Sequence, residues 1–389
     1  MATYELWLTN DRGRRLMPLN NLRTWAASKV VNGVGAFVGQ LRPPADLATL
    51  QNYHYIERNI RPDWMVQVWY KARGPSRLFA TYFLRKWGWS QDEGGEEVFA
   101  LRGYEPNHLL TRRVVADYAE TADHSLFATE YADDIMKTLV TDAIADATAP
   151  RLTVTAGTRA WGDLSVAADL SAGPQISIAV AFQRLLTLSG GGALASIAKA
   201  ASKAGTEMYF RIAPHTLSSD AVTWQFRTQT GQPMTNRTSG ALQVLFDADA
   251  GTLTDWSLTY DYSEEENYIY ALGQGDESNR NVQQRYDAAR YKASYWNRCE
   301  ATAEARQAER DAAVQAAGDA ALEEGRPRIQ LTGTPVSRPG QEFLRHWGWG
   351  DKVVAAAKGK RFDAIVWSVT VGQDEDGKVE ETARLKFDE

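Results

Sequence analysis

The chain has 389 residues, 44% of them hydrophobic and 24% charged, ordinary globular values that exclude a wholly disordered polypeptide and suggest two or three domains. Its formal net charge of −6 argues against a generic nucleic-acid coat, although residues 1–118 carry +5 and the remainder −11. One cysteine, Cys299, excludes an internal disulfide framework and any Cys-based zinc finger, and no apolar run approaches the roughly 18 residues of a membrane span.

In chain order, the first signal is a strand. The start, Met1 to Glu5, lacks the basic-then-apolar layout of a signal peptide. Tyr4, Leu6 and Leu8 alternate, and Asn10-Asp11-Arg12-Gly13 is a turn leading to Arg14–Leu19. Tyr131–Ala147 predicts a helix, with Ile135, Leu139, Val140, Ala143 and Ile144 at three- and four-residue spacing and Asp133 and Asp134 near its positive end. Ala193–Ala204 predicts a second helix. Period-two strands follow at Met208–Ile212, Val222–Phe226, Leu242–Phe246 and Trp256–Tyr262, and Asp247–Gly251 predicts a hairpin turn. Ala301–Glu324 predicts a helix of about 36 Å with a small-residue stripe of Ala301, Ala305, Ala308, Ala312, Ala316 and Ala320, stopped by Gly325 and Pro327. Its narrow alanine face suits close approach to a sheet or helix, or simple exposure to solvent. The strand Ile365–Val371 and a hairpin over Gly372–Lys378 end the series.

The chain also echoes itself. Phe83-Leu84-Arg85-Lys86-Trp87-Gly88-Trp89 returns as Phe343-Leu344-Arg345-His346-Trp347-Gly348-Trp349, a match at six of seven positions. Duplication and coincidence account for it equally well.

Chemistry is harder to find. His54, His108, His124, His215 and His346 form no metal-binding helix spacing, and no HExxH or G-x-S-x-G motif occurs. Ser189-Gly190-Gly191-Gly192 precedes a helix without the Lys-Ser/Thr ending of a phosphate loop, so it reads as a connecting loop before an anion cradle. Asp374-Glu375-Asp376-Gly377 lacks the later ligands of a calcium loop and reads as a hairpin tip. Glu264-Glu265-Glu266 reads as a solvated charge run, and Asn236-Arg237-Thr238 as a turn. No catalytic, cofactor-binding or metal-ligating residue is nominated, and none of the five histidines or the carboxylates marks an enzyme.

Five ordered segments resemble the baseplate hub, or tail-tip, proteins of long-tailed, non-contractile bacteriophages, which are related to the hub of contractile tails. They are Tyr4–Leu8 through Asn10–Gly13 to Gly35-Ala36-Phe37; Gly103–Val114; Tyr270–Gly275 with Arg280; Asn297–Glu300; and Gly350–Val353 before Phe362–Val371. The resemblance implies an α+β, β-rich fold. It has two tail-tube-like β-sandwich or barrel domains and a helix-containing central region. It divides the chain into a first tube-like domain (1–118), a mixed central region (119–325, including helix 301–324) and a C-terminal segment (326–389). That last segment completes the second tube-like domain together with part of 206–262. It further implies a homotrimer at the virion tail tip, assembled in the host cytoplasm. The implied partners are distal tail and tube ring proteins, a tape measure protein and distal tip or fibre proteins, with viral DNA passing through the lumen unbound. No cofactor is implied. No wall-degrading domain follows the last predicted strand, which departs from hubs with lytic activity. Two other readings stand beside this one: a tail-associated cell-wall hydrolase, needing converging carboxylates, and a carbohydrate-binding receptor protein, needing an exposed tryptophan platform.

Overall fold

The computed structural model describes residues 3–43, 47–71, 75–115, 126–145, 164–167, 171–180, 183–275, 279–305, 311–336 and 338–387. The first strands are β1 (Thr3–Thr9), β2 (Arg15–Pro18), β3 (Leu22–Val30), β4 (Ala36–Leu41), β5 (Met65–Lys71), β6 (Arg77–Gln91) and β7 (Glu97–Tyr104), with helix α1 (Leu47–Asn59) between β4 and β5. The middle holds β8 (Leu126–Tyr131), α2 (Ala132–Ala145), β9 (Leu164–Val166), β10 (Gln175–Ala179), α3 (Ala193–Lys203), β11 (Met208–Leu217) and β12 (Val222–Thr230). Next come β13 (Leu245–Asp247), β14 (Leu253–Asp261), β15 (Tyr268–Leu272), β16 (Val282–Tyr286), α4 (Ala288–Tyr291) and β17 (Glu300–Glu304). The chain closes with α5 (Asp311–Glu324), β18 (Arg328–Pro335), β19 (Lys352–Ala357), β20 (Lys360–Gln373) and β21 (Val379–Phe387). Strands dominate, so the fold is α+β and β-rich.

Two compact units result. One runs to Trp256 and resumes at Thr332; the other is Ser257–Leu331. In the first, thirteen strands share one sheet in the order β14-β18-β21-β20-β3-β4-β7-β6-β5-β1-β2, with β19 and β13 attached at β20. The strand β20 is the seam. Its first half, Lys360–Ile365, pairs with β19, and its second half, Ser368–Gln373, pairs with β3, while β21 runs along its other edge. A bulge between Val366 and Ser368 separates the halves, as expected where a strand must re-aim.

The sheet curls onto itself. Tyr4 on β1 donates a 2.7 Å hydrogen bond to Glu381 on β21, although those strands are not neighbours. Phe343 packs its ring 5.9 Å from Tyr70 and 5.8 Å from Phe79. Alternation supplies the inner face: Leu6, Leu8, Phe37, Leu41, Phe99, Leu101, Val369 and Val371 are all buried. Met65, Val66, Gln67 and Val68 are buried in succession, so β5 is covered on both faces.

A second core lies in the same unit. Ile135, Met136, Leu139 and Val140 of α2 meet Leu194 and Ile197 of α3, Phe210 and Ile212 of β11, and Trp224 and Phe226 of β12. The helix expected over 131–147 is thus present from Ala132 to Ala145, and residues 146–147 lie outside the described residues.

Within Ser257–Leu331, β15 pairs antiparallel with β16 and parallel with β17, and α5 covers one face. Here the helix expected over Ala301–Glu324 needs correction. Glu300–Glu304 is a strand, and the helix occupies Asp311–Glu324. Ala301 and Ala303 alternate with exposed Glu300, Thr302 and Glu304, and the open edge of β15 offers a ladder from Tyr268↔Glu300 to Leu272↔Glu304. Tertiary pairing overrides alanine's helix propensity there. The packed face is also different: Val314 and Gly318 are buried, whereas Ala312 and Ala316 face solvent. Gly318 allows the approach, since a β-carbon there would meet Arg285 Cγ at 2.6 Å and Ala271 Cβ at 3.1 Å. The helix ends at Gly325 as expected. Arg290 donates to the carbonyls of Gly325 (3.0 Å) and Leu322 (2.8 Å), satisfying its C-terminal acceptors.

Three smaller expectations also change. Leu242 is 61% exposed in a 3-10 turn, because only Leu245–Asp247 finds a partner, β19, in parallel. The Asp247–Gly251 turn forms, but β13 and β14 pair with other strands instead of with each other, so it closes no hairpin. The echo does not repeat a structure: Phe83–Trp89 is extended in β6, whereas Phe343–Trp349 is a tight turn with Leu344 at φ 55° and Phe343 and Trp347 buried. Asn10–Gly13 and Gly372–Lys378 do join antiparallel pairs, β1–β2 and β20–β21.

Candidate assembly surfaces

The side chains singled out in the sequence are mostly spent on structure. His54 meets Glu57 at 3.0 Å on an exposed face, His215 is exposed on β11, and His346 accepts the Glu342 amide within its turn. His124 lies outside the described residues. Among the described residues no group of three His, Cys, Asp or Glu is placed to hold a metal. The loop at Ser189–Gly192 closes on itself: Thr187 accepts the Gly191 amide at 2.8 Å, and the Ala193 and Leu194 amides go to Arg184 and Leu185 carbonyls. Those α3 donors are therefore unavailable to an anion. Asp374 Oδ1 accepts the Asp376 and Lys378 amides, a hairpin tip as read. Asn236 Oδ1 accepts from Thr238, which makes the sequon a turn.

Glu265 departs from the solvated reading. It is buried, accepting from Asn267 at 3.1 Å and Asn297 at 3.2 Å. Asn267 in turn bonds the Asn297 carbonyl at 2.8 Å and accepts the Cys299 amide at 3.0 Å. This network anchors a loop whose tip carries Tyr295 and Trp296, 93% and 86% exposed, in edge-to-face contact at 5.2 Å. Exposing two large rings on a firmly held loop is unfavourable for an isolated surface and typical of contact sites. The outer face of β15–β16 continues the theme. Tyr268 stacks on Tyr286 at 5.4 Å, and the Arg298 guanidinium sits 4.1 Å above the Tyr268 ring. Tyr260 and Tyr262 are exposed too, so the Trp256–Tyr262 alternation is less buried than its pattern predicts. Tyr, Trp and Arg are the residues enriched where binding energy concentrates. The sequence offers for this only the adjacent aromatics between Ser294 and Asn297, which do not tell an exposed pair from a buried one.

A contrasting surface lies on the first unit. Asp92 accepts from Arg23 (3.1 Å) and Arg42 (2.6 Å), Arg42 also pairs with Glu96, and Arg23 with Glu375. The groups line an open polar hollow of about 660 Å³ at the β6–β7 and β20–β21 tips. Backbone amides of Glu96 and Gly94, together with Arg42, hold the Asp92 carboxyl below its usual range.

The Gly103–Val114 segment forms an internal junction. Glu105 Oε2 accepts the amides of Gly35 (2.8 Å) and Val30 (3.4 Å), and Asn107 bridges the Gly33 carbonyl (2.8 Å) to the Ile212 amide (2.7 Å). Asn32 adds two more bonds, to Met208 and Phe210. The β3–β4 loop is thereby locked to both cores of this unit. Next to it, His108 stacks on Tyr104 at 4.7 Å. Burial, then Arg112 and Arg85, lower its pKa to about 4, with Asp63 opposing. A histidine of ordinary pKa near 6.5 in the unfolded chain binds the proton first, so this group's contribution to stability falls as pH drops from about 6.5 to about 4. In His108→Gln the loss on acidification should be smaller than in the wild type. Thermal melts of both proteins across that window measure it, and parallel curves would refute the assignment.

Relatives bear on these surfaces. Residues 30–385 match the family model of the Siphovirus ReqiPepy6 Gp37-like protein. No curated protein matches the chain. Three solved structures share the fold at low identity. The 43 kDa tail protein of prophage MuSo2 from Shewanella oneidensis is 10% identical, with 99% of this chain and 98% of that one covered and a TM-score of 0.56. A tail protein from Neisseria meningitidis MC58 is 12% identical over 99% and 97%, with a TM-score of 0.54. Prophage tail protein gp18 from Listeria monocytogenes EGD-e is 8% identical over 98% and 94%, with a TM-score of 0.50. With a family match spanning nearly its whole length and the fold of prophage tail proteins, the chain belongs to the Siphovirus ReqiPepy6 Gp37-like family.

Proposed function

We propose that the chain is a non-enzymatic hub of a phage tail tip, a trimeric ring that adapts a sixfold tail tube to distal tip proteins and surrounds the path of the DNA. The observation that carries the reading is the division of the large sheet at β20. On one side β1–β7 form a near-complete set of antiparallel strands; on the other, β13, β14 and β18–β21 form a second set. Two such sets per chain and three chains per ring would present six strand-built modules to a sixfold tube, and closed rotation would keep the assembly finite. On this reading the modules correspond to 1–118 and to 326–389 with part of 206–262. The virion tail tip would be its location, with tube ring, tape measure and fibre proteins as neighbours.

The aromatic tip supports partner contact in such a ring. Replacing both Tyr295 and Trp296 with alanine should leave the melting temperature of the isolated protein nearly unchanged, because neither ring is buried in it. Incorporation into tails should fall at least about tenfold, given hot-spot contributions of about 2 kcal/mol or more. Native mass measurement and imaging of tail particles test the hub directly. A trimer at the tip, inert toward cell-wall polymers, is the expected result. A stable monomer with hydrolytic activity that one carboxylate substitution abolishes would replace the hub with an enzyme. The Tyr268–Tyr286 stack and Trp296 favour a second reading, a saccharide-binding platform. Saturable oligosaccharide binding lost in the same double variant would support it.

A further inference from the structure

A cavity of about 400 Å³ lies in the first unit, bounded by β3, β6, β11 and the Glu105–Asn107 junction. Its walls are largely apolar, with Val30, Phe79, Ile212 and Trp224 among them. Two of its polar groups, Lys29 and Arg211, are weakly paired. The Lys29 ammonium makes one long hydrogen bond, 3.4 Å, to the Phe79 carbonyl and rests 4.4 Å from the Trp349 ring centre. Arg211 lies on that same ring at 5.8 Å, and among the described residues its side chain donates only to the Met234 thioether, a poor acceptor. Neither cation has a carboxylate oxygen within 4 Å among the described residues. The Trp349 indole N–H and the Thr81 hydroxyl have no hydrogen-bond partner among the described residues, but both atoms are sealed from the cavity.

The one acid on the wall is Glu105, whose Oε2 is committed to the Gly35 and Val30 amides. Burial raises its pKa to about 7, with Lys29 and the two amides opposing, so it offsets only part of the positive charge at neutral pH. Burial lowers the pKa of Lys29, against the pull of Glu105, and that of Arg211. Buried cations whose counter-charge is only partial are costly. A ligand carrying about one negative charge would relieve both cations. Apolar walls require that the rest of it be hydrocarbon.

We propose that this cavity binds an organic carboxylate with an apolar body, Lys29 and Arg211 meeting the headgroup. Neither the hub reading nor the aromatic tip is needed for it. The headgroup has two sources, a free carboxylic acid or an acidic residue of a neighbouring protein segment.

Calorimetric titration of the whole protein with 4-phenylbutyrate and with its neutral amide, 4-phenylbutanamide, is the test. The acid should bind saturably and the amide at least about tenfold more weakly, the scale of a charge-assisted pair. Lys29→Met and Arg211→Gln should each weaken the acid about tenfold. A leucine-flanked glutamate peptide is titrated in parallel; tighter binding than the small acid assigns the headgroup to a protein neighbour, weaker binding to a free acid. Absence of saturable binding by either acid, equal binding of the amide, or unchanged affinity in folded Lys29→Met and Arg211→Gln proteins would overturn the proposal. Should a variant fail to fold by circular dichroism, the acid–amide comparison on the wild type decides alone.

Discussion

Gly35→Ala is expected to lower the stability of the first unit by about 3 kcal/mol or more, an overpacking cost joined to lost buried hydrogen bonds. A β-carbon at Gly35 would fall on the Ser28 carbonyl oxygen and on Glu105 Oε2. Backbone oxygen cannot rotate away, and the carboxylate can move only by abandoning the Gly35 amide at 2.8 Å. Gly33→Ala is the control. Its β-carbon would meet Val30 Cγ1 at 2.9 Å, the end of a side chain that can shift. It should cost far less, about 1 kcal/mol. Urea unfolding of both variants measures the difference, and equal losses would mean the junction is not built as described. Acid–base behaviour offers a second check. Glu105 has a folded pKa raised from 4.5 to about 7 by burial. The folded state therefore holds the proton more tightly, and this group's stabilising contribution is complete below about 4.5 and lost as pH rises through about 7. Glu105→Gln keeps an acceptor for the Gly35 amide and removes the titration, so its stability should depend less on pH across that window.

Asn107→Ala should cost about 2–4 kcal/mol, because it strands the Gly33 carbonyl and the Ile212 amide in a dry interior. Both bonds, 2.8 and 2.7 Å, are buried. The consequence reaches further than the number. Asn107 ties the β3–β4 loop to β11, and β11 belongs to the core around α2 and α3. Cutting that tie should let the helical core open before the large sheet does. Scanning calorimetry should then resolve one more transition in the variant than in the wild type, and limited proteolysis should cut the β11–β12 region first. A single, merely lowered transition would show that Asn32, with its bonds to Met208 and Phe210, suffices as the coupling.

Strands and turns were legible where local chemistry decides them. Asn10 and Asp374 each fold their own backbone through side-chain acceptors, so both hairpins could be read directly. The α2 stripe was legible for the same reason, its apolar spacing matching the helical period. Partners across the chain were not. Glu300–Glu304 has alanine-rich helical propensity, yet a free edge on β15 claims it. Phe83–Trp89 and Phe343–Trp349 share residues but not a conformation, because one copy extends β6 and the other fills the space beside Tyr70 and Phe79. The cavity was invisible for a related reason: Lys29, Thr81, Arg211 and Trp349 are scattered, and only the pairing of distant strands brings them together. Tyr295 and Trp296 went unremarked in the sequence, because only their exposure marks them out.

Consider what the double-partnered strand β20 imposes on synthesis. The Trp25–Val30 edge of β3 is made long before its neighbour, Ser368–Gln373. At roughly 5–20 residues per second that delay is on the order of 20–70 s, during which an unsatisfied row of amides and carbonyls stands open to other nascent chains. Prematurely terminated products would keep that edge open for good. Quality control is thus written into the strand order: the β3 edge is closed only once translation has passed Gln373.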